Sequence, residues 1–326
     1  MKTKILSLLR NSREYISGQE LCRQFGVSRT AVWKIINQLK EDGYEIDAVT
    51  NKGYKLVSYP DILNKHEIAS RMQTKWVGRE VVFLEETGST NTEARVLAEK
   101  GYEHGTLVVA GHQTGGKGRR GRNWHSPQGS SIAMSLILKP KLEAEYASML
   151  TLIQAMAVAK AIEEVCGLKA QIKWPNDILV NEKKVCGILT EMNLEMMEIS
   201  SIIIGTGINV NQDSFPEEIS EIATSLKIEK KRTQSRVDLI EHICELFEEY
   251  FEKFMETKDL SCIMEEYNQC LISRGRKIRV LDPKEEFNGE ALGINAVGEL
   301  LVKKEDDCVV NVYAGEVSVR GIYGYV

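Results

Sequence analysis

The run Gly115-Gly-Lys-Gly-Arg-Arg-Gly-Arg-Asn-Trp124 constrains the fold more than any other stretch of the chain. Four glycines and four cations fall within eight residues. An apolar run stands on either side: Leu107-Val-Val-Ala110 before it and Ser131-Ile-Ala-Met-Ser-Leu-Ile-Leu138 after it. Both flanks have the character of strands. The basic run therefore joins strand to strand, and it lacks the G-x-x-x-x-G-K-[ST] spacing, so it is not the strand-to-helix turn of a P-loop. Glycine lets backbone N–H groups come close to a ligand. Those groups, with Lys117, Arg119, Arg120 and Arg122, can surround a phosphate or a carboxylate. Like charges repel and glycine carries high chain entropy, so the run is expected to be mobile when empty and ordered around an anion. Taken alone, it reads equally well as a solvated basic loop or a nucleic-acid patch.

At 326 residues the chain has room for two or three domains. No stretch approaches the ~20 apolar residues of a membrane span, and the N-terminus has no long apolar core, so a cytoplasmic protein is expected with no membrane partner. The seven cysteines (22, 166, 186, 244, 262, 270, 308) form no C-x-x-C pair. That fits free thiols in a reducing compartment. The five histidines are dispersed and make no H-E-x-x-H, so no protein-bound metal is expected. Charge is uneven. Residues 1–59 carry ten Lys/Arg against six Asp/Glu, and the rest carries 32 against 41. A basic head on an acidic body points to a nucleic-acid module joined to something else.

Within the head, Thr3–Arg10 reads as a short helix. Ser17-Gly-Gln-Glu20 is a capping box that opens a second helix, which Gly26 ends. Ser28 caps a third, over Arg29 to about Glu41, with Val32, Ile35, Ile36 and Leu39 on one face. After Gly43 the period changes to two: Tyr44–Val49 and Tyr54–Val57 flank Thr50-Asn-Lys-Gly53, a hairpin with a basic tip. Three helices and a hairpin make a winged helix-turn-helix. Its candidate DNA contacts are Ser28, Arg29, Thr30, Trp33, Lys34 and Asn37, with Lys52 on the wing. Tyr59-Pro60-Asp61 reads as a linker.

The body alternates strands and helices. Val81–Leu84 is a strand, and Ser89 or Thr90 is a natural N-cap for the helix that follows. Leu142 to about Cys166 is a long Ala-rich helix. Lys173-Trp-Pro-Asn-Asp177 forms a turn before Ile178–Val180. Lys184 then opens a strand among apolar neighbours, so its stem is half buried and an anionic ligand would offset the desolvation of its charge. Ile199–Asn211 is a strand ending in glycines and asparagines. Asp213–Leu226, with Pro216, is a candidate lid that would order on ligand. Residues 235–257 and 259–271 read as helices. Four short alternating runs between Lys277 and Val312 read as a small antiparallel barrel.

The Gly/Arg run, Lys-Trp-Pro-Asn-Asp, Lys-x-x-Gly-Ile-Leu and Gly-x-Gly-Ile-Asn occur here in the order and spacing of biotin–protein ligases. With the winged helix in front, the whole chain resembles the bifunctional biotin ligase and biotin-operon repressor. Lys117 is a departure, since the family often has Arg there, and Lys lacks the planar fork.

The resemblance implies an α+β multidomain chain. It would have a winged helix at 1–60, a central mixed β-sheet with helices like class II aminoacyl-tRNA synthetases at 65–271, and an SH3-like β-barrel at 272–326. It implies ATP with Mg2+ as cofactor, and biotin as substrate and corepressor precursor. Biotin carboxyl carrier domains and inverted-repeat operator DNA become the expected partners, together with a ligand-promoted homodimer. Ser89, Thr90, Asn91, Gln113, Gly116, Lys117, Gly118, Arg119 and Lys184 would lie around biotin. Arg120, Arg122, Trp124, Asn176, Lys184 and Asn209 would lie around ATP. Lys184, Arg119 and Asp177 would be catalytic, with Asp177 facing the incoming lysine amine. Two alternatives stay open. One is a lipoate or octanoate transferase of the same fold, in which Cys186, two residues from Lys184, would be the nucleophile if the strand is regular. The other is a catalytically inactive biotin-sensing transcription factor.

Overall fold

The computed structural model describes residues 1–59, 61–195, 198–281, 286–314 and 318–321. The chain divides into two compact units, Met1–Met72 and Gln73–Val326.

The first unit opens with α1 (Lys2–Asn11), α2 (Gly18–Phe25) and α3 (Arg29–Glu41), followed by β1 (Glu45–Val49) and β2 (Gly53–Ser58). The capping residues act as expected. Ser17 Oγ accepts from the Glu20 N–H at 3.0 Å and Ser28 Oγ from the Ala31 N–H at 3.2 Å. Gly26 ends α2 at φ 64°, a left-handed conformation that a Cβ would strain. Ile5, Leu6, Leu9, Leu21, Val32, Ile36, Leu39, Tyr44 and Ile46 form the core. Opposite that core, α3 exposes Arg29, Thr30 and Lys34, and leaves Trp33 56% exposed. Asn37 is half-buried and Lys52 is exposed at the wing.

This unit does not end near residue 60. Helix α4 (Lys65–Arg71) belongs to it, because its Glu67 is 1% exposed and needs partners that lie upstream. Arg10 Nη2 donates to both carboxylate oxygens at 2.7 and 2.8 Å, Arg71 Nε donates at 2.9 Å and Tyr44 Oη at 2.5 Å. A buried carboxylate stripped of such partners is strongly destabilising. A cut before Pro60 would therefore divide the folded unit, and the division between units falls after Met72.

The second unit is built on a mixed sheet. Its elements in chain order are β3 (Val81–Thr87), α5 (Thr90–Glu99), β4 (Leu107–Lys117), β5 (Asn123–Ser126), β6 (Ser131–Leu138), α6 (Ala147–Ala161), β7 (Gln171–Lys173), β8 (Asp177–Val180), β9 (Lys183–Glu195), β10 (Glu198–Asn209), α7 (Leu226–Lys230), α8 (Arg236–Thr257) and α9 (Met264–Cys270). The strand order is β3-β4-β6-β10-β9-β8-β7, with β5 paired to β4. Strands β3 and β4 run parallel and the remaining pairs antiparallel. Every residue of β6 is buried, which explains its unbroken apolar run. Val108, Ile137 and Ile203 pack under Ala94 and Ala98 of α5. Their neighbours Leu107, Leu136 and Ile204 instead share a small cavity with Ile243, Cys244 and Phe247 of α8. The two-residue period of the strands thus separates two helical layers.

Downstream, β11 (Lys277–Leu281), β12 (Glu286–Ile294), β13 (Leu300–Lys303), β14 (Val309–Val312) and β15 (Ser318–Gly321) form an antiparallel sheet in the order β14-β13-β12-β11-β15. The expected boundary at 271/272 is not a contact boundary. Trp174 Nε1 donates to the Gly298 carbonyl, and Asn268 exchanges hydrogen bonds with the backbone of Ile294. No helix among the described residues is long and apolar enough to cross a membrane.

Candidate functional site

A cavity of about 1120 Å3 opens over the sheet, walled by β4, β5, β9, β10, the start of α5, the β7–β8 turn, residues 215–223 and β15. The Gly/Arg run is more regular than expected. Gly115, Gly116 and Lys117 continue β4, the chain turns through Arg119–Gly121, and β5 pairs back onto β4. Arg120 takes φ 58° at the tip. Arg120, Arg122 and Lys117 are exposed, and the Gly118 N–H donates to the Arg122 carbonyl at 2.7 Å.

At one end of the cavity the groups are neutral. Ser89 occupies the N-cap position of α5, yet its hydroxyl makes no capping bond and lines the cavity. Gln113 Oε1 accepts from the Thr90 N–H at 2.9 Å and from Thr90 Oγ1 at 3.1 Å. Gln113 Nε2 lies where a side chain at Gly116 would stand, so only glycine fits there. Ser135 Oγ lies 2.8 Å from Thr90 Oγ1 and 2.6 Å from Asn91 Oδ1. Asn91, expected among the ligand contacts, spends its amide in the wall. Its Nδ2 donates to the Leu189 carbonyl at 3.2 Å and to Glu191 Oε2 at 2.7 Å, and Arg95 holds the other Glu191 oxygen at 2.9 Å. Gly205 leaves the space that the Asn91 amide fills.

At the other end cations dominate. Lys184 Nζ sits 2.7 Å from Asp177 Oδ1 and 5.5 Å from the centre of the Trp124 ring. The expectation that Lys184 depends on an anionic ligand is thus corrected, since Asp177 across the β8–β9 pair already offsets its charge. Arg119 is half-buried. It donates to Asn176 Oδ1 at 3.0 Å and to the Ala314 carbonyl at 3.3 Å, and burial holds its guanidinium below its ordinary pKa. Asn176 Nδ2 is tied to the Ile188 carbonyl at 3.0 Å. The Trp124 indole lies on two strand glycines, with ideal Cβ positions at Gly207 and Gly187 only 2.5 and 3.1 Å from its ring. Asn209 is buried, and its Nδ2 donates to the Thr224 carbonyl at 3.2 Å.

Several lining residues lay outside the sequence expectation. Lys173 pairs across the turn with Asp177. Its ammonium is pushed down to about 8, first by burial and then by Lys184, Arg320 and Arg122, against the pull of Asp177. The signal for it was its place at the head of the Trp-Pro-Asn-Asp turn. Gly187, Gly205 and Gly207 were signalled as strand-interior glycines, and Ser135, which is fully buried behind Thr90, as a hydroxyl within the apolar run of β6. Val319 and Arg320 of β15 also line the cavity, so the tail has a place in the site that no local motif announced.

Cys186 is removed as a nucleophile. Ile178 pairs with Cys186 and Leu179 with Lys184, leaving Val185 as a bulge that breaks the alternation. Cys186 is fully buried, and burial drives its thiol well above the ordinary range, so the thiolate does not form there.

The central residues 83–209 match the model described as the biotin/lipoate A/B protein ligase family, which defines the class of the fold. Residues 2–55 match an HTH domain, and 275–320 match the biotin protein ligase C-terminal domain. The chain is 41% identical over 308 residues to the bifunctional ligase/repressor BirA of Bacillus spizizenii, covering 94% of each. It is 28% identical over 319 residues to that of Escherichia coli, covering 97% of this chain and 96% of the relative. The biotin protein ligase from Aquifex aeolicus, solved in complex with biotin and ATP, superposes with a TM-score of 0.66 at 31% identity, over 74% of this chain and 99% of that one. The chain belongs to the bifunctional ligase/repressor BirA family.

Proposed function

We propose that this chain activates biotin with ATP to give biotinoyl-5′-AMP, transfers the biotinoyl group to a lysine of a biotin carboxyl carrier domain, and represses biotin genes when the adenylate persists. The observation that carries the reading is one cavity with a neutral hydrogen-bonding end and a cationic end, which meet at Lys184.

The neutral end suits the uncharged ring of biotin, with Ser89, Thr90 and Gln113 as its polar contacts and Gly116 allowing close approach. Asn91 supports Thr90 and Ser135 from behind. The cationic end suits the carboxylate and the phosphates: Arg119 and Lys184 on the carboxylate side, Arg120, Arg122 and Lys117 at the hairpin tip, and Trp124 against adenine. Gly118 shapes the tip, while Asn176 and Asn209 fix Arg119 and the 213–225 segment. A carboxylate oxygen attacks the α-phosphorus, the bond to the bridging oxygen breaks, and pyrophosphate leaves. In the second step the carrier amine attacks the acyl carbon, AMP leaves, and Asp177 takes the amine proton. Both nucleophiles arrive with the substrates, so the protein contributes position and electrostatics.

Among the described residues no group of three or more His, Cys, Asp or Glu could hold a metal. Magnesium is expected to arrive with ATP, offsetting the phosphate charge, and no step is assigned to it.

The exposed face of α3 and the wing suit an operator groove, and an inverted repeat calls for two copies. A homodimer promoted by the adenylate follows from that. Purified protein should label a carrier domain in the presence of biotin and ATP. It should also shift an inverted-repeat operator more strongly with biotin plus ATP than with biotin alone. Absence of carrier labelling would remove the enzyme reading. Equal shifts and equal sedimentation in all conditions would remove the switch.

A further inference from the structure

The 213–225 segment is joined to the backbone of Lys184 itself. The Lys184 N–H donates to the Ile222 carbonyl at 2.8 Å and the Thr224 N–H donates to the Lys184 carbonyl at 2.9 Å, so Lys184 and Ala223 form a parallel bridge. The Glu229 carboxylate stands at the root of this bridge. Thr224 Oγ1 donates to one of its oxygens at 2.6 Å and Asn181 Nδ2 to the other at 2.5 Å. Asn181 and Glu182, at φ 49° and 63°, are the tight turn that delivers Lys184 into β9. The roots of the segment are also tied together, through Ser225 Oγ to the Gln212 carbonyl at 2.6 Å and Lys227 Nζ to Asp213 at 2.8 Å. Beyond the root, Phe215, Pro216, Ile219 and Ile222 line the cavity.

We propose that Glu229 is a positioning residue for Lys184: by holding the Asn181 turn and Thr224 at once, it makes closure of the segment over the cavity and placement of the lysine a single event. Without this latch the segment keeps its apolar lining but loses its grip on the Lys184 backbone. Lys184 Nζ then loses its fixed place beside Asp177. The inference rests on the ligase reading for its catalytic meaning, but the latch is testable without substrate.

The test compares the full-length wild type with Glu229→Ala, Glu229→Gln and Thr224→Val. Hydrogen exchange is expected to rise by about tenfold or more in Glu229→Ala for the amides of Lys184 and Thr224, as for a locally opened segment, while Ile188, bonded to the Asn176 carbonyl, is unchanged. Glu229→Gln, which keeps one acceptor oxygen, and Thr224→Val, which removes one arm, should fall between. In biotin-dependent ATP–pyrophosphate exchange, kcat should fall about tenfold in Glu229→Ala with KM for biotin within about twofold, the pattern of misplacement rather than lost binding. Wild-type protection at Lys184 and Thr224 would overturn the latch, as would an even loss of protection across β9 and α5. If the wild type shows no pyrophosphate exchange with biotin, the ligase reading fails, and the hydrogen-exchange arm still decides the latch.

Discussion

Beneath α5, the polar side chains are joined by hydrogen bonds. Gln113, Thr90, Ser135 and Asn91 form a chain that runs from the cavity wall inward and on to Glu191, in the space that Gly116 and Gly205 leave. Beneath the β4–β5 tip, Lys173, Lys184, Arg119, Arg122 and Arg320 line the wall with Asp177 and Glu218 as the lining carboxylates. The first end is built to select a shape by hydrogen bonds, and the second to hold negative charge that develops or arrives. The contrast explains why one substrate of such a site is a neutral ring with a single carboxylate and the other a polyphosphate. It also locates the chemistry where the two ends meet, at Lys184.

The sharpest way to break this comparison is Lys184→Ala. Losing a charge-assisted contact to the transition state should slow biotin-dependent ATP–pyrophosphate exchange by about 3 kcal/mol or more, over a hundredfold, with the fold retained. Near-normal exchange would mean that the two ends do not meet there.

A paired test asks whether the ends are separate. Gln113→Ala should weaken biotin affinity by about 1–3 kcal/mol, since it removes a polar contact to the ring and the bond that orients Thr90, and should spare the KM for ATP. Gly207→Val should do the reverse. Its side chain would collide with the indole, so the KM for ATP should rise about tenfold with biotin affinity within about twofold. Calorimetry with biotin and initial rates in ATP distinguish the two. If both variants change both ligands alike, the division fails.

How far the sequence alone reached differs between the two ends for physical reasons. The winged helix was legible residue by residue, because caps, Gly26 and the change of period at Gly43 are local signals. The cationic end was legible as composition, four cations around four glycines, but its use was settled only by the other motifs that follow it in order. The supports of the neutral end were not. Ser135 and Glu191 act through partners 45 and 100 residues away, and nothing near them in the chain marks that. The same holds for Glu67, whose burial rather than its sequence context moves the first boundary to Met72. Cys186 turned on a single residue: regular alternation would put it on the face of Lys184, and the bulge at Val185 removes it and leaves it in the core.

A smaller effect probes the charge at the cationic end. Lys173, pushed down to about 8, is about half neutral at that pH, whereas an ordinary lysine is charged up to about 10.4. A bound polyphosphate favours the ammonium, so binding near pH 8 should take up about half a proton, and affinity should fall as pH rises through that value. Folding runs the opposite way: burial penalises the charged form, so this residue's penalty is full below pH 8 and relieved between 8 and about 10.4, and stability rises where affinity falls. Calorimetric titration of ATP in buffers of different ionisation enthalpy measures the uptake. Lys173→Met should abolish it, and an unchanged uptake in that variant would assign the proton elsewhere.

The central claim is that biotin's carboxylate and the α-phosphate of ATP are brought together over Lys184. Mixing the full-length protein with biotin and α-labelled ATP, in pyrophosphatase and without a carrier, tests it most directly. The account predicts that labelled biotinoyl-5′-AMP accumulates to about one per chain and that Lys184→Ala leaves none. Failure of the wild type to retain an adenylate, or equal accumulation with lipoate in place of biotin, would contradict it.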